Sequence, residues 1–341
     1  MNSFIENRIT PSLTALRSSL TTEDVLAGQK LARQWLSSPG SKLPGYVYLA
    51  AALLRAKNVE RSFPPLTDGR RLANGHRPHA GLILAAEELC SALTRNDEQI
   101  AALPDSLKDF LKKASALVAI AALESDFEAA LAQGNTRWAK THLYTAMHKC
   151  PQGPKETTAG HCLSVAQQYR ALATRLIHPA WAEKAYVNRT QHLPKWFETW
   201  KTQLASAIEN HGGLARTYLE WHDCGKPFCL EYDAQGRAHF PDHAKRSAQL
   251  WERVGGSPEV AQLMEQDMDL HTLPPSAMPE FAQRKHAALL LVAALAAVNA
   301  NAKMFGGFES DSFKIKAKQL EARGKRLCAA LFDEVNIKAV A

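Results

Sequence analysis

"LEWHDCGKPFCLEYDAQGRAHFPDHAKRSAQL", Leu219–Leu250, changes its hydrophobic pattern twice in one short stretch. It begins inside an apolar helical run, "LARTYLEWHD", which Gly225 and Pro227 stop, because proline lacks the amide donor and glycine costs a helix backbone entropy. "FCLEYDAQGRAHFPD" then alternates about a glycine-containing turn, the best hairpin signal in the chain. Helical periodicity returns at "HAKRSAQL". The stretch therefore reads helix, hairpin, helix. His222-Asp223 close the first helix and His243 opens the second.

Outward from this stretch nearly every long segment has helical spacing. "TTEDVLAGQKLARQWLSS" starts with Thr21 and Asp24 three residues apart, a capping-box-like pattern. "LPDSLKDFLKKASALVAIAALESDFEAALAQG" reads as a long helix or a helical pair closed at Gly134, followed by "TRWAKTHLYTAMHK". "CPQGPKETTAG", with two prolines and two glycines, cannot continue that helix and marks a soft boundary. Beyond it come "HCLSVAQQYRALATRLI", "LPKWFETWKTQLASAIEN", "SPEVAQLMEQDMDLH", "PEFAQRKHAALLLVAALAAVNANAKM" and "SDSFKIKAKQLEARGKRLCAALFDEV". The expected fold is mostly α with one small β-hairpin. The expected division is an N-terminal helical region, 1–150, with no recognisable chemistry, and a second domain, 151–341. His76 and His79 in "GHRPHAG" read as loop residues.

The 341 residues carry a formal charge of +7 and are 46% hydrophobic. That size supports a substantial core. The positive balance suits anionic partners such as nucleotides or nucleic acid, and equally a soluble basic surface. Cys90, Cys150, Cys162, Cys224, Cys229 and Cys328 show no zinc-ribbon spacing and read as reduced thiols of a cytoplasmic protein. "MNSFIENRIT" has no apolar signal core. "HAALLLVAALAAVNANA" is short for a membrane span and reads as a buried helix, so no membrane partner is expected. Neither a Walker loop nor GxGxxG occurs, which leaves ATP hydrolysis and dinucleotide binding without support.

Imidazole is a common ligand for transition metals, and a carboxylate adds charge and can bridge two ions. His222-Asp223, His243 and His271 all fall at expected helix ends, where side chains can line one pocket. "LEWHDCGKP", "FPDHAKRSAQL", "DLHTL" and "GHCLSVAQQY" resemble the successive motifs of the HD-domain superfamily of metal-dependent phosphohydrolases, over about residues 155–305. The resemblance implies a helical HD bundle. It implies His161 as first metal ligand, His222 and Asp223 as the central pair, and His243 and His271 serving a second metal. Asn299 stands where the family's final Asp is expected, with Asn301 in the alternative register and Asp311 a remote substitute. An amide oxygen can ligate but brings no negative charge. His192 in "NRTQHLP" rivals His161, since His161 lies 61 residues before His222 (222 − 161); His211 is a third choice.

The implied cofactor is one or two divalent transition-metal ions (Mn, Fe, Ni or Co), with Mg as a further choice. The implied reaction is attack of a metal-bound hydroxide on a nucleotide or nucleic-acid phosphate, with Asp223 and Lys226 catalytic. Lys226, Lys245 and Arg246 would contact the phosphate. The cations of the last helix (Lys314, Lys316, Lys318, Arg323, Lys325 and Arg326) read mainly as a solvated face. Asp267 and Asp269 read as exposed or supporting residues. The alternative is a non-catalytic nucleic-acid-binding or scaffold protein with a decayed HD site, motivated by Asn299 and the basic charge. A mixed-valent iron oxygenase on the same ligand set is a third reading, weakened by the missing acid.

Overall fold

The computed structural model describes residues 15, 20, 21, 23, 24, 105–153, 156–184, 191–233 and 235–333. His76, His79 and Cys90, and most of the helix expected from Thr21, lie outside them. In chain order the described elements are α1 (Asp105–Ala132), α2 (Thr136–Lys149), β1 (Pro151–Gly153), β2 (Glu156–Thr157), α3 (Thr158–Ile177), α4 (Pro179–Lys184), α5 (Lys195–Thr199), α6 (Lys201–Ile208), α7 (Gly212–Trp221), β3 (Glu231–Tyr232), β4 (Ala238–His239), α8 (His243–Arg253), α9 (Pro258–Glu265), α10 (Asp269–Thr272), α11 (Met278–Phe281), α12 (Ala287–Ala300) and α13 (Asp311–Cys328). The fold is mostly α, with two very small two-stranded sheets. Among the described residues no helix is long and apolar enough to cross a membrane.

The chain divides into two compact units, Met1–Gln152 with Lys226–Pro241, and Gly153–Gly225 with Asp242–Ala341. The hairpin of Leu219–Leu250 therefore belongs with the first unit, although the helices on either side of it belong to the second. In the first unit, Thr21 and Asp24 form a reciprocal capping box. The Thr21 amide donates to the Asp24 carboxylate at 2.9 Å and the Asp24 amide to Thr21 Oγ1 at 3.1 Å. The Ser106 hydroxyl, first, and the Thr21 amide hold the Asp24 carboxyl below its usual range. α1 is a single 28-residue helix. Asn135 caps α2 by accepting from the Trp138 amide at 3.1 Å. In the hairpin Glu231 pairs with His239 and Tyr232 with Ala238. The Asp233 carboxylate fixes the turn by accepting from the amides of Gln235 and Arg237, at 2.9 and 2.8 Å.

The second unit is a helical bundle built on α12. That helix is apolar all round, and every residue from Ala287 to Ala296 is buried, with Val298 and Asn299. Its sides are covered by α3, α6, α10 and α13. Each fully buried leucine there contributes about 1.5–3 kcal/mol by leaving water. α3 also packs on α7, and α8 on α9. α8 buries Ala244, Ser247, Ala248 and Trp251, one face of a helix at three- and four-residue spacing.

The end of α7 meets the start of α8 backbone to backbone. A Cβ at Gly225 would stand 2.5 Å from the Ser247 amide nitrogen and 2.8 Å from the His243 carbonyl oxygen. Only glycine fits. The Gly225 amide donates to Ser247 Oγ at 2.8 Å, and the Cys224 thiol reaches the Ser247 carbonyl at 3.6 Å. Gly225→Ala should therefore lower stability by on the order of 2–4 kcal/mol, through forced separation of two packed segments. Gly213→Ala is the control: nothing lies within 4 Å of its added Cβ, and α7 should gain up to about 1 kcal/mol. Urea unfolding of both variants checks the contrast; equal midpoints would remove the close approach as a constraint.

Candidate metal centre

Three helices deliver the polar cluster. Thr157 caps α3 by accepting from the Gly160 amide at 3.1 Å, which sets His161 on the helix's first turns. α7 ends at Trp221, and the turn that follows carries His222 and Asp223. Asp242 enters α8 in the left-handed region, φ 51°, which aspartate tolerates, and His243 is the first helical residue. His161, His222 and Asp223 are all at least 97% buried, with exposures of 3%, 3% and 1%.

The two oxygens of Asp223 face different imidazoles. Oδ2 lies 3.4 Å from His222 Nε2 and 3.7 Å from His161 Nε2. Oδ1 lies 3.5 Å from His243 Nε2. The ligand atoms of His161, His222 and Asp223 all lie within 4.8 Å of one another. These separations exceed the usual 2.7–3.2 Å or so of an N–H···O hydrogen bond. They match instead the edge of a tetrahedron with bonds of about 2.1 Å, about 3.4 Å. Two imidazole nitrogens and a carboxylate, buried and spaced this way, form a donor set suited to a divalent transition ion. His243 on the other oxygen leaves room for Asp223 to bridge.

A backbone carbonyl orients His222. His222 Nδ1 lies 2.8 Å from the Leu219 carbonyl, which can only accept. The Nδ1 proton is thus fixed and Nε2 is the nitrogen turned to Asp223. Glu156 Oε2 stands 4.0 Å behind His161 Nδ1. Burial opposes a charge on His222, but Asp223, with smaller contributions from Cys162 and Asp267, outweighs it and raises the pKa well above the usual value. The Tyr218 hydroxyl donates to Asp267. Glu156, Tyr218 and the Leu219 carbonyl were not apparent from the sequence. The only local signal was position, five residues before His161 and one turn before His222.

His271, on α10, is not drawn into this cluster by any ion pair with Asp223 among the described residues. Burial depresses its pKa, Asp267 opposes this, and Lys316, Arg323 and His222 depress it further. The resemblance implied that it served a second metal; the imidazole found 3.5 Å from the second oxygen of Asp223 is that of His243. Asn299 is also elsewhere engaged. Its Oδ1 accepts from the His192 amide at 2.7 Å, and its Nδ2 donates to the carbonyls of His192, at 3.1 Å, and Leu295, at 3.0 Å. It clamps the chain at His192 instead of completing a ligand set. The His192 ring packs edge-on against Phe313 at 5.6 Å, and His211 against His286 at 5.2 Å, so neither rival joins the His222-Asp223 pair. Asn301 caps the end of α12 and Asp311 is exposed in the first turn of α13.

Of the expected phosphate-binding cations, Lys226 falls in the first unit and Lys245 and Arg246 in the second. Lys226 is buried in the first unit, where Nζ donates to Gln152 Oε1 at 3.2 Å and lies 5.4 Å from the centre of the Phe240 ring. Lys245 is exposed and Arg246 half-buried on the first turn of α8. Asp269 is paired with Arg284. His239 is a surface residue paired with Asp233 at 3.0 Å.

No family model matches the chain, and neither a curated protein nor a solved structure matches it.

The clamp yields a test of residue 299. In Asn299→Asp the carboxylate would confront the carbonyls of His192 and Leu295, with no donor for either. The variant should lose on the order of 2 kcal/mol of stability and bind no more metal than the wild type. Thermal unfolding and elemental analysis on the same preparations check this; a variant that takes up extra metal at wild-type stability would place residue 299 among the ligands.

Proposed function

We propose that the protein is a metal-dependent phosphohydrolase acting on a nucleotide or nucleic-acid phosphate. The observation that carries this reading is one buried carboxylate, Asp223, with His161 and His222 on one oxygen and His243 on the other. His161, His222 and Asp223 would hold the first ion, and His243 with the second oxygen of Asp223 would extend the site toward another. The donor set suits Mn, Fe, Co or Ni better than Mg, because imidazole nitrogen dominates it. A divalent ion there supplies Lewis acidity, lowering the pKa of water and offsetting the charge of a phosphate ester.

The chain's own residues keep that site ready. The Leu219 carbonyl fixes the tautomer of His222, and the Glu156 carboxylate, 4.0 Å from His161 Nδ1, adds negative charge behind that imidazole. Burial keeps bulk water from screening Asp223, so its interaction with a cation is stronger than at the surface. Lys245 and Arg246 follow His243 on α8 and are the residues on that helix able to bring positive charge to an incoming phosphate. The formal charge of +7 favours a polyanionic substrate over a neutral ester.

The test is metal content by elemental analysis, with hydrolysis of bis-p-nitrophenyl phosphate under added Mn²⁺ on the same samples. Wild type should bind metal and turn over. Asp223→Ala should lose both to background. Glu156→Ala should keep the fold and weaken metal binding by on the order of 10-fold. Lys245→Ala should leave metal content unchanged and raise KM. Wild type that binds no metal and hydrolyses nothing would overturn the reading and favour the binding-protein alternative.

A further inference from the structure

α2 lies in the first unit and turns only one side inward. Ala139, Leu143, Ala146 and Met147 are its buried residues. On the outer side Trp138 is 57% exposed and Tyr144 44% exposed. Each is paired with the histidine one turn on: Trp138 with His142, ring centres 6.1 Å apart, and Tyr144 with His148, 4.6 Å apart. Thr141 and Thr145 lie between the two pairs. Their hydroxyls donate back to the helix carbonyls of Arg137 and Thr141, so only short side chains separate the rings. Arg137, His148 and Lys149 are exposed on the same helix. The sequence of α2, TRWAKTHLYTAMHK, contains no acidic residue.

A single exposed aromatic residue is ordinary. Two on one acid-free helix, set among cations, are a different feature. Six residues of helix place Tyr144 about 9 Å along the axis from Trp138. A protein or lipid partner would find threonines at the middle of this face, where an aliphatic ridge would be needed. A nucleic-acid strand with unpaired bases matches it: each base offers a flat π surface to an aromatic ring, and its phosphates match a helix whose charged residues are all basic. We propose that the outer face of α2 binds single-stranded nucleic acid, with Trp138 and Tyr144 stacking on bases and Arg137 and Lys149 contacting phosphates. The proposal goes beyond the phosphohydrolase reading and stands without it.

The test is fluorescence anisotropy of a labelled oligothymidylate of about 15 nucleotides titrated with the full-length protein in EDTA. Wild type should bind, more weakly as salt rises. Trp138→Ala/Tyr144→Ala, both exposed positions, should melt like wild type and bind about 10- to 100-fold more weakly. Arg137→Glu/Lys149→Glu should also bind more weakly and flatten the salt dependence. An abasic strand of the same length should bind weakly and equally to wild type and the aromatic variant. Asp223→Ala should bind as wild type does, which separates this face from the metal centre.

Four results would each overturn the proposal. One is no oligonucleotide binding by wild type at low salt. Another is an aromatic variant that binds undiminished. A third is abasic strand bound as tightly as oligothymidylate, which marks a general polyanion surface. The last is phosphatidylserine vesicles bound more tightly than the strand and lost in the same variants, which marks a membrane face.

Discussion

The contact of Gly225 with the first turn of α8 is the constraint on which the second unit's chemistry depends. The Gly225 amide reaches Ser247 Oγ at 2.8 Å, and no Cβ could stand between them. Between Gly225 and α8 the chain makes the excursion Lys226–Pro241 and then returns. The short approach closes that excursion at its base. It thereby sets His243, at the head of α8, opposite a carboxylate two residues before Gly225. Ser247 and Gly225 act as a clasp, and the spacing from His243 to Asp223 is a consequence.

Asp223 is buried where stability alone would have favoured an apolar residue. Removing a carboxylate from water costs several kcal/mol unless something positive compensates. Its neighbours here are three imidazoles, and one form of compensation is positive charge on His222, whose pKa Asp223 raises against the effect of burial. A divalent cation is the other. The two forms would compete for the same lone pairs, so a metal binding there would release protons. Hydrogen bonds alone would draw these groups closer than 3.4–3.7 Å.

The helical architecture was legible because its signals are local. Gly134, Gly225, Pro227 and the apolar run of α12 each act through backbone entropy or burial that a single segment reveals. The grouping of His222, Asp223 and His243 was legible for a similar reason, since all three flank the hairpin. His161 and His192 could not be separated by spacing. What separates them is tertiary: α3 packs on α7, whereas the chain at His192 is held by Asn299. Lys226 drew a site role from proximity in sequence, and its contacts with Gln152 and Phe240 lie in the first unit. The chain turns sharply at Gly225, and the lysine is enclosed by Gln152 and Phe240. Glu156 left no pattern, because a supporting carboxylate needs only a distance.

Asn299 changes weight under this geometry. As a sequence position it stood for a lost acidic ligand, and that loss motivated the idea of a decayed site. Its amide, however, does something no carboxylate can do: it accepts from one backbone amide and donates to two backbone carbonyls at once. Asparagine at this position is explained by the backbone it clamps, independently of any metal. The clamp ties α12 to the chain just before α5 and so helps keep that segment's own histidine, His192, against Phe313 and away from Asp223. A residue that excludes a competing imidazole serves the cluster without touching it. The non-catalytic alternative then rests on the basic charge, and the ligand set to be judged is the one gathered around Asp223.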